Sequence, residues 1–164
     1  MKEALIDTSE NHVGIVIGEG LIIKILRKEL KKKFVKPIHM KKLETGEKVT
    51  VLRTFNRIFY EKSFTGKTIE LYSINVSIND GRFWTSLTEW LIRRRIETLN
   101  ADYEVQERLK KFVKRKLLLR QFTIHLLKET LQLADIVAYA NSHHDLVRNI
   151  WKNVPLERGS MKIE

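Results

Sequence analysis

The chain has 164 residues, with 31 Lys and Arg against 20 Asp and Glu and a formal net charge of +11. This length suits one domain with its own buried core. No apolar stretch approaches the ~20 residues of a membrane-spanning helix, and the lack of Cys excludes disulfides, thiolate metal sites and a Cys nucleophile. Because the N-terminus lacks the layout of a signal peptide, we expect a cytoplasmic or other intracellular protein with no membrane partner.

The positive charge is concentrated in two blocks. Residues 21–48 carry ten bases and three acids, and residues 103–128 carry eight bases and two acids. Clustered charge of this kind is typical of proteins that bind a polyanion, and it predicts nucleic acid, with DNA favoured, as the partner. The alternatives are a solvated Lys-rich surface and, less favoured, an anionic membrane surface.

The first predicted elements are a strand at 13–17 and an amphipathic helix at 21–35. Ile23, Leu26 and Leu30 recur at helical spacing, and Lys residues occupy the opposite side. The helix is expected to end before Pro37, since the residue preceding a proline avoids the helical region. A hairpin that pairs 21–26 with 13–17 is the alternative.

Residues 38–83 are predicted to form a β-meander. The segment 49–60 is rich in β-branched and aromatic residues, and 72–78 alternates apolar with polar residues. The Asp80-Gly81 pair suits a tight hairpin turn after the second of these strands.

The remaining residues carry a helical pattern. Ser86 and Glu89 have the spacing of a capping box, and Asp102 is placed to cap the following helix. An apolar series with a seven-residue repeat predicts a single long helix over about 103–140, and a last helix ends before Pro155.

The fold class predicted from these elements is α+β. An antiparallel β-meander in the N-terminal half packs against C-terminal helices, including one long helix. All of this lies in a single domain, 1–164, in which 13–83 is mainly β with a basic helix near 21–35 and 86–154 is helical.

The leading functional hypothesis is a non-enzymatic nucleic-acid-binding protein without a cofactor. Lys outnumbers Arg 19 to 12, which favours contacts to phosphates over the reading of bases. Two basic helical faces and a pair of Arg residues on one predicted strand supply the candidate contacts. These residues are Lys28, Lys31, Lys32, Arg53, Arg57, Lys111, Lys114 and Arg115.

A metal-dependent nuclease acting on DNA is the alternative. Such an enzyme needs two or three converging carboxylates that bind Mg²⁺ or Mn²⁺. Glu70, Asp80 and Glu89 come from a predicted strand, the turn after it and the next helix start, so they are the candidate catalytic set. The His143-His144-Asp145 run is interpreted as surface or capping residues, because neighbours in a helix point about 100° apart.

The segment 79–94 resembles the end of the small β-domain of archaeal GINS replication subunits. The shared features are an acidic-Gly turn at Asp80-Gly81 and a Leu-x-Glu-Trp-like helix start at Leu87 to Trp90. The resemblance implies a non-enzymatic scaffold, and with it a replication or genome-maintenance accessory. A third hypothesis is a structural subunit of a larger assembly, or a homo-oligomer, and the apolar stripe of the predicted long helix supports it.

Overall fold

Six strands form one mixed sheet in the computed structural model, which describes residues 1–9, 11–126 and 128–160. The strands are β1 (Lys2–Ser9), β2 (His12–Glu19), β3 (Ile69–Asn75), β4 (Thr98–Ala101), β5 (Thr123–His125) and β6 (Leu156–Ser160). Their order is β5-β4-β1-β2-β3-β6. β2 pairs antiparallel with β1 and β3, whereas β4 runs parallel to β1 and β5, and β6 runs parallel to β3.

Helices cover both faces of this sheet. They are α1 (Gly20–Lys33), a 3₁₀ turn at Met40–Lys42, α2 (Thr45–Glu61), α3 (Gly81–Arg93), α4 (Tyr103–Phe112), α5 (Lys116–Leu119), α6 (Lys128–Ser142) and α7 (His144–Ile150). α1, α2, α6 and α7 build one hydrophobic core on what we call the α6 face. α3 and α4 build a second core on the opposite, α3 face. None of the helices in the described ranges has both the length and the apolarity needed to cross a lipid bilayer.

The central strands are apolar on both sides because both faces of the sheet are covered. In β1, Leu5 contributes to the core of the α6 face, whereas its neighbours Ala4 and Ile6 contribute to the core of the α3 face. The sequence of such a strand is a continuous apolar run instead of an alternation of apolar and polar residues. This is why residues 2–9 carry no clear strand signal in the sequence.

The α+β class is confirmed, and so are the strand near 13–17 and the basic helix after Gly20. The strand predicted at 72–78 lies three residues earlier, as β3 (Ile69–Asn75), and its Ser73 is buried because helices cover both faces of the sheet. The strand predicted at 49–60 is wrong, because α2 occupies this segment. Val51, Phe55 and Ile58 fit a helical stripe that packs on the α6 face, and this packing outweighs the β propensity of the segment. A capping box between Glu44 and Glu47 begins the helix.

The single helix predicted over 103–140 is also wrong. The chain forms α4, α5 and β5 before α6 begins. Val113 and Phe122 are buried in the core of the α3 face, whereas Leu133 and Val137 are buried in the core of the α6 face. One straight helix cannot contact both faces of a sheet. The apolar residues of the seven-residue repeat are therefore buried in two different cores.

The start of α3 differs from its prediction as well. Asp80 is the N-cap, and its Oδ1 accepts a hydrogen bond of 3.0 Å from the Arg82 N–H. The Asp80-Gly81 pair therefore begins a helix instead of forming a hairpin turn, and Ser86 lies inside α3. The cap predicted at Asp102 is confirmed, because its Oδ1 accepts from the Val105 N–H at 2.8 Å.

Candidate active site

Two carboxylates lie side by side at the carboxyl ends of β1 and β4. The parallel pairing of these strands ends with Ile6 opposite Ala101, and the next residues are Asp7 and Asp102. The strand order also reverses between these two strands, because the chain continues from β1 to β2 on one side and from β4 to β5 on the other. Ligands of open α/β sheets bind in the crevice outside the carboxyl ends of the strands, at such a change in strand order.

A third carboxylate reaches the same place from α6. Gly14, the partner of Asp7 in the β1–β2 ladder, lies directly beneath this helix. A Cβ on Gly14 would lie 2.2 Å from the carbonyl oxygen of Ala134 and 2.6 Å from the nitrogen of Ala138. The absence of a side chain thus lets the helix backbone lie against the sheet, and Asp135, which follows Ala134, faces Asp7.

A short segment that leads into the 3₁₀ turn completes the site. We call residues 38–40 the strap, because two hydrogen bonds fasten its backbone to α6. The Ile38 N–H donates to Gln132 Oε1 at 3.2 Å, and the Met40 N–H donates to Asp135 Oδ2 at 2.9 Å. Ile38 and Met40 point into the core, and His39 is exposed. The three carboxylates, His39 and Gln132 line one cavity of about 450 Å³.

Each carboxylate is held by a backbone N–H. Thr8 donates to Asp7 Oδ1 at 2.9 Å, Val105 donates to Asp102 Oδ1, and Met40 donates to Asp135 Oδ2. Only one oxygen of each carboxylate is used in these bonds. These bonds orient the side chains, and a side-chain hydrogen bond also joins the carboxyl groups of Asp7 and Asp102.

Burial of the carboxylates and their closeness to one another determine the electrostatics of the site. Burial, followed by the charges of Asp135 and Asp102, raises the pKa of Asp7 to about 8. Burial also raises the pKa of Asp135, while the Met40 N–H and the nearby His39 oppose that shift. Close like charges cannot all be ionised without a compensating cation, so at neutral pH the cluster holds a proton.

The donor set fits a hard divalent cation. Mg²⁺ and Mn²⁺ favour carboxylate oxygens, and a bound cation would neutralise the repulsion that raises the pKa of Asp7. Within residues 1–9, 11–126 and 128–160, no three His, Asp or Glu side chains are already arranged as a metal cage.

The carboxylates predicted from the sequence as a catalytic set do not converge, so that prediction is wrong. Glu70 on β3 accepts a hydrogen bond from Tyr72 at 2.8 Å and pairs with Arg94, which follows the C-terminus of α3. Asp80 caps the other end of α3. The 13 residues of this helix span about 20 Å at ~1.5 Å per residue, so Asp80 lies about that far from Arg94. Glu89 is half-buried within the helix.

The two predicted basic faces lie on opposite sides of the sheet. Lys28, Lys31 and Lys32 are exposed on α1, which packs on the α6 face with the carboxylates. The second group, Lys111, Lys114 and Arg115, lies at and after the end of α4, which packs on the α3 face. Arg53 and Arg57 are exposed on a helix, α2, instead of on the predicted strand.

The sequence contains a signal for the converging carboxylates, although the prediction from sequence missed it. Asp7 and Asp102 each follow a short apolar or buried strand segment directly. Asp135 interrupts a run that is otherwise apolar from Leu133 to Ala140, apart from the Tyr139 hydroxyl. The Asp135 side chain is only 8% exposed. Buried carboxylates are rare in proteins unless they bind a partner.

Comparison of the chain with protein-family models, with curated proteins and with solved structures found no match. The resemblance of 79–94 to GINS subunits therefore stays a prediction. The geometry of the site is what points to a function.

Proposed function

We propose that this protein is a metal-dependent nuclease that hydrolyses phosphodiester bonds in nucleic acid. The observation that carries the proposal is the convergence of Asp7, Asp102 and Asp135 at the carboxyl ends of two neighbouring strands, with the pKa of Asp7 raised by burial and then by the charges of the other two. Three oriented carboxylates with this mutual repulsion are suited to binding divalent cations.

In this proposal the three carboxylates hold Mg²⁺ or Mn²⁺. When bound, the cation would lower the pKa of a water molecule and stabilise negative charge on the phosphate oxygens. Asp7, Asp102 and Asp135 supply the ligands, and their backbone N–H partners keep them oriented. The proton that Asp7 holds at neutral pH must leave before the cation binds, so metal binding is expected to strengthen as pH rises.

The charge of the chain supports a polyanionic substrate. The net charge is +11 although the site itself is acidic, and the exposed cations of α1 lie on the same face of the sheet as the carboxylates. Basic surface beside an acidic metal site attracts a phosphate backbone and places it near the reacting atoms. DNA is the substrate we favour.

Binding without cleavage is the second candidate function. The exposed Lys28, Lys31 and Lys32 favour it, because a cationic helix face binds phosphates whether or not a reaction follows. The replication accessory suggested by the resemblance of 79–94 belongs to this candidate.

A cleavage panel with single- and double-stranded DNA and RNA, with Mg²⁺, with Mn²⁺ and with EDTA, tests the proposal. The wild-type protein should cleave only with a divalent cation, and Asp7→Asn and Asp135→Asn should lose at least about 100-fold in rate. Asp80→Asn is the matched control. It removes one carboxylate at a distance from the site and keeps an N-cap, since Asn caps helices as well as Asp.

Thermal unfolding measures metal binding independently of cleavage. Mg²⁺ or Mn²⁺ should raise the Tm of the wild-type protein and of Asp80→Asn, and should do so much less for Asp7→Asn. Salt-sensitive binding without cleavage and without a metal-dependent rise in Tm would contradict the nuclease proposal and favour the non-enzymatic candidate.

A further inference from the structure

A second cavity adjoins the carboxylate site, between the C-terminal end of α1 and α6. It has a volume of about 260 Å³ and shares three residues, Pro37, Ile38 and Gln132, with the carboxylate cavity. The two cavities therefore lie on either side of these three residues, and a nucleic-acid strand that follows the surface of the strap would reach both.

We propose that this second cavity is a nucleotide pocket that binds one unpaired nucleotide next to the phosphate held at the carboxylates. This inference rests on the proposed nuclease function and specifies its substrate: nucleic acid that is single-stranded, or locally unpaired, at the site of cleavage.

The inner part of the pocket suits a nucleobase. Leu30, Phe34 and Leu133 line it; Leu30 and Leu133 belong to the core of the α6 face, and Phe34 is partly buried against that core. Apolar and aromatic side chains bind the faces of bases without regard to their sequence, and stacking on an aromatic ring contributes ~1–3 kcal/mol per base.

The outer part of the pocket suits the phosphates on either side of that base. Arg27, Lys31 and Lys36 line it, and the two Lys residues are exposed. Gln132 uses its Oε1 to accept from the strap, so its Nε2 is the group that can donate to a ligand in either cavity. An apolar interior with cations at its mouth matches the two halves of a nucleotide.

The segment beside the pocket explains why the nucleotide should be unpaired. Val35 is fully exposed, and the segment 34–38 separates the nucleotide pocket from another cavity of about 600 Å³ against α2. The segment forms a ridge whose apolar tip is Val35, and Lys33 and Lys36 lie beside that tip. A base within a regular duplex is covered by its neighbours and cannot enter a recess, whereas an apolar ridge can separate stacked bases.

Binding in EDTA tests the pocket without catalysis. Three labelled DNA probes are compared by fluorescence anisotropy: a single strand, a duplex with one bulged nucleotide and a fully paired duplex. We expect the wild-type protein to bind the first two at least about tenfold more tightly than the paired duplex. Arg27→Gln with Lys31→Gln should abolish this preference.

Matched variants separate the pocket from general charge. Lys24→Gln with Lys28→Gln removes the same charge from the same helix at exposed positions that do not line the pocket. It should weaken binding of all three probes to a similar extent and keep the preference. Lys31→Gln with Lys36→Gln leaves the half-buried Arg27 intact, so it provides a second pocket variant if the first does not fold.

The two proposals fail in different ways. Equal binding of the three probes by a protein that cleaves nucleic acid with Mg²⁺ or Mn²⁺ would overturn the pocket and leave the nuclease standing. Equal loss of preference in the pocket variants and in Lys24→Gln with Lys28→Gln would also overturn the pocket. A preference that only the pocket variants remove, in a protein that cleaves nothing, would support the pocket and overturn the nuclease.

Discussion

Asp7 and Gly14 are direct partners in the β1–β2 ladder, and the missing side chain of Gly14 is what brings α6 close to Asp7. The helix backbone occupies the space of a Cβ, with the Ala134 carbonyl oxygen 2.2 Å from where that atom would be. Asp135 follows Ala134 and completes the three-carboxylate cluster. A residue without any functional group thus determines the geometry of the site.

The first prediction concerns this contact. Gly14→Ala should lower the free energy of unfolding by about 3 kcal/mol, because the atoms that a Cβ meets are backbone atoms of α6 and cannot rotate away. It should also remove the rise in Tm with Mg²⁺, since the helix that carries Asp135 must move. Urea denaturation measures the first effect and thermal unfolding the second.

Gly46→Ala is the matched control for this substitution. Gly46 lies in the first turn of α2, and no atom lies within 4 Å of the position that a Cβ would occupy there. Ala should therefore be neutral or more stable by up to ~1 kcal/mol. A Gly14→Ala protein as stable as Gly46→Ala would show that α6 does not depend on this close approach.

The second prediction is a dependence of stability on pH. The pKa of Asp7 is about 8 in the folded protein against 3.8 for the free side chain, so between these values the folded state binds more protons than the unfolded state. This contribution to stability is fully present below pH 4 and is lost as pH rises towards 8. The groups that face Asp7 are Asp102, Asp135 and, through Asp135, His39.

Asp7→Asn should therefore raise Tm at pH 8 in EDTA and change it little at pH 4. Asn keeps an oxygen for the Thr8 N–H but carries no charge. A gain of 1 kcal/mol corresponds to about 2–4 °C in a protein of this size. Calorimetry at the two pH values provides the measurement, and a lower Tm at pH 8 would contradict the raised pKa.

The third prediction separates two roles of Asp102. Its Oδ1 caps α4, and its carboxylate belongs to the acidic cluster. Asp102→Asn should keep the cap and lose the metal-dependent rise in Tm. Asp102→Ala should lose both, with an additional loss of ~0.5–2 kcal/mol for the cap. Urea denaturation in EDTA isolates the cap, and equal stability of the two variants would rule out the capping role.

The fourth prediction compares the two basic groups. Reversing the charges of Lys28, Lys31 and Lys32 should weaken DNA binding by at least about tenfold and reduce the dependence of affinity on salt between about 50 and 200 mM. The same reversal at Lys111, Lys114 and Arg115 should have a much smaller effect on cleavage, because that group lies on the α3 face. Equal effects on cleavage would indicate a substrate that contacts both sides of the protein.

The elements that depend on local patterns could be predicted from the sequence. The amphipathic stripe of α1 and the cap at Asp102 are short-range features, and the structure confirms both of them. The helix at 45–61 differs from the predicted strand, because its aromatic and β-branched residues fit both a helical and a strand period over short windows.

The candidate active site depends on long-range pairing instead. Asp7 and Asp102 meet because β4 pairs with β1 across more than 90 residues of chain, and Asp135 joins them because α6 lies over Gly14. The amino-acid sequence alone determined the basic character, the α+β class and the cationic face of α1. These properties depend on composition and on the spacing of residues that are close together along the chain. Only the tertiary structure decided which carboxylates converge and which basic face accompanies them, because strand order and the close approach of a helix bring together residues that have no relation along the chain.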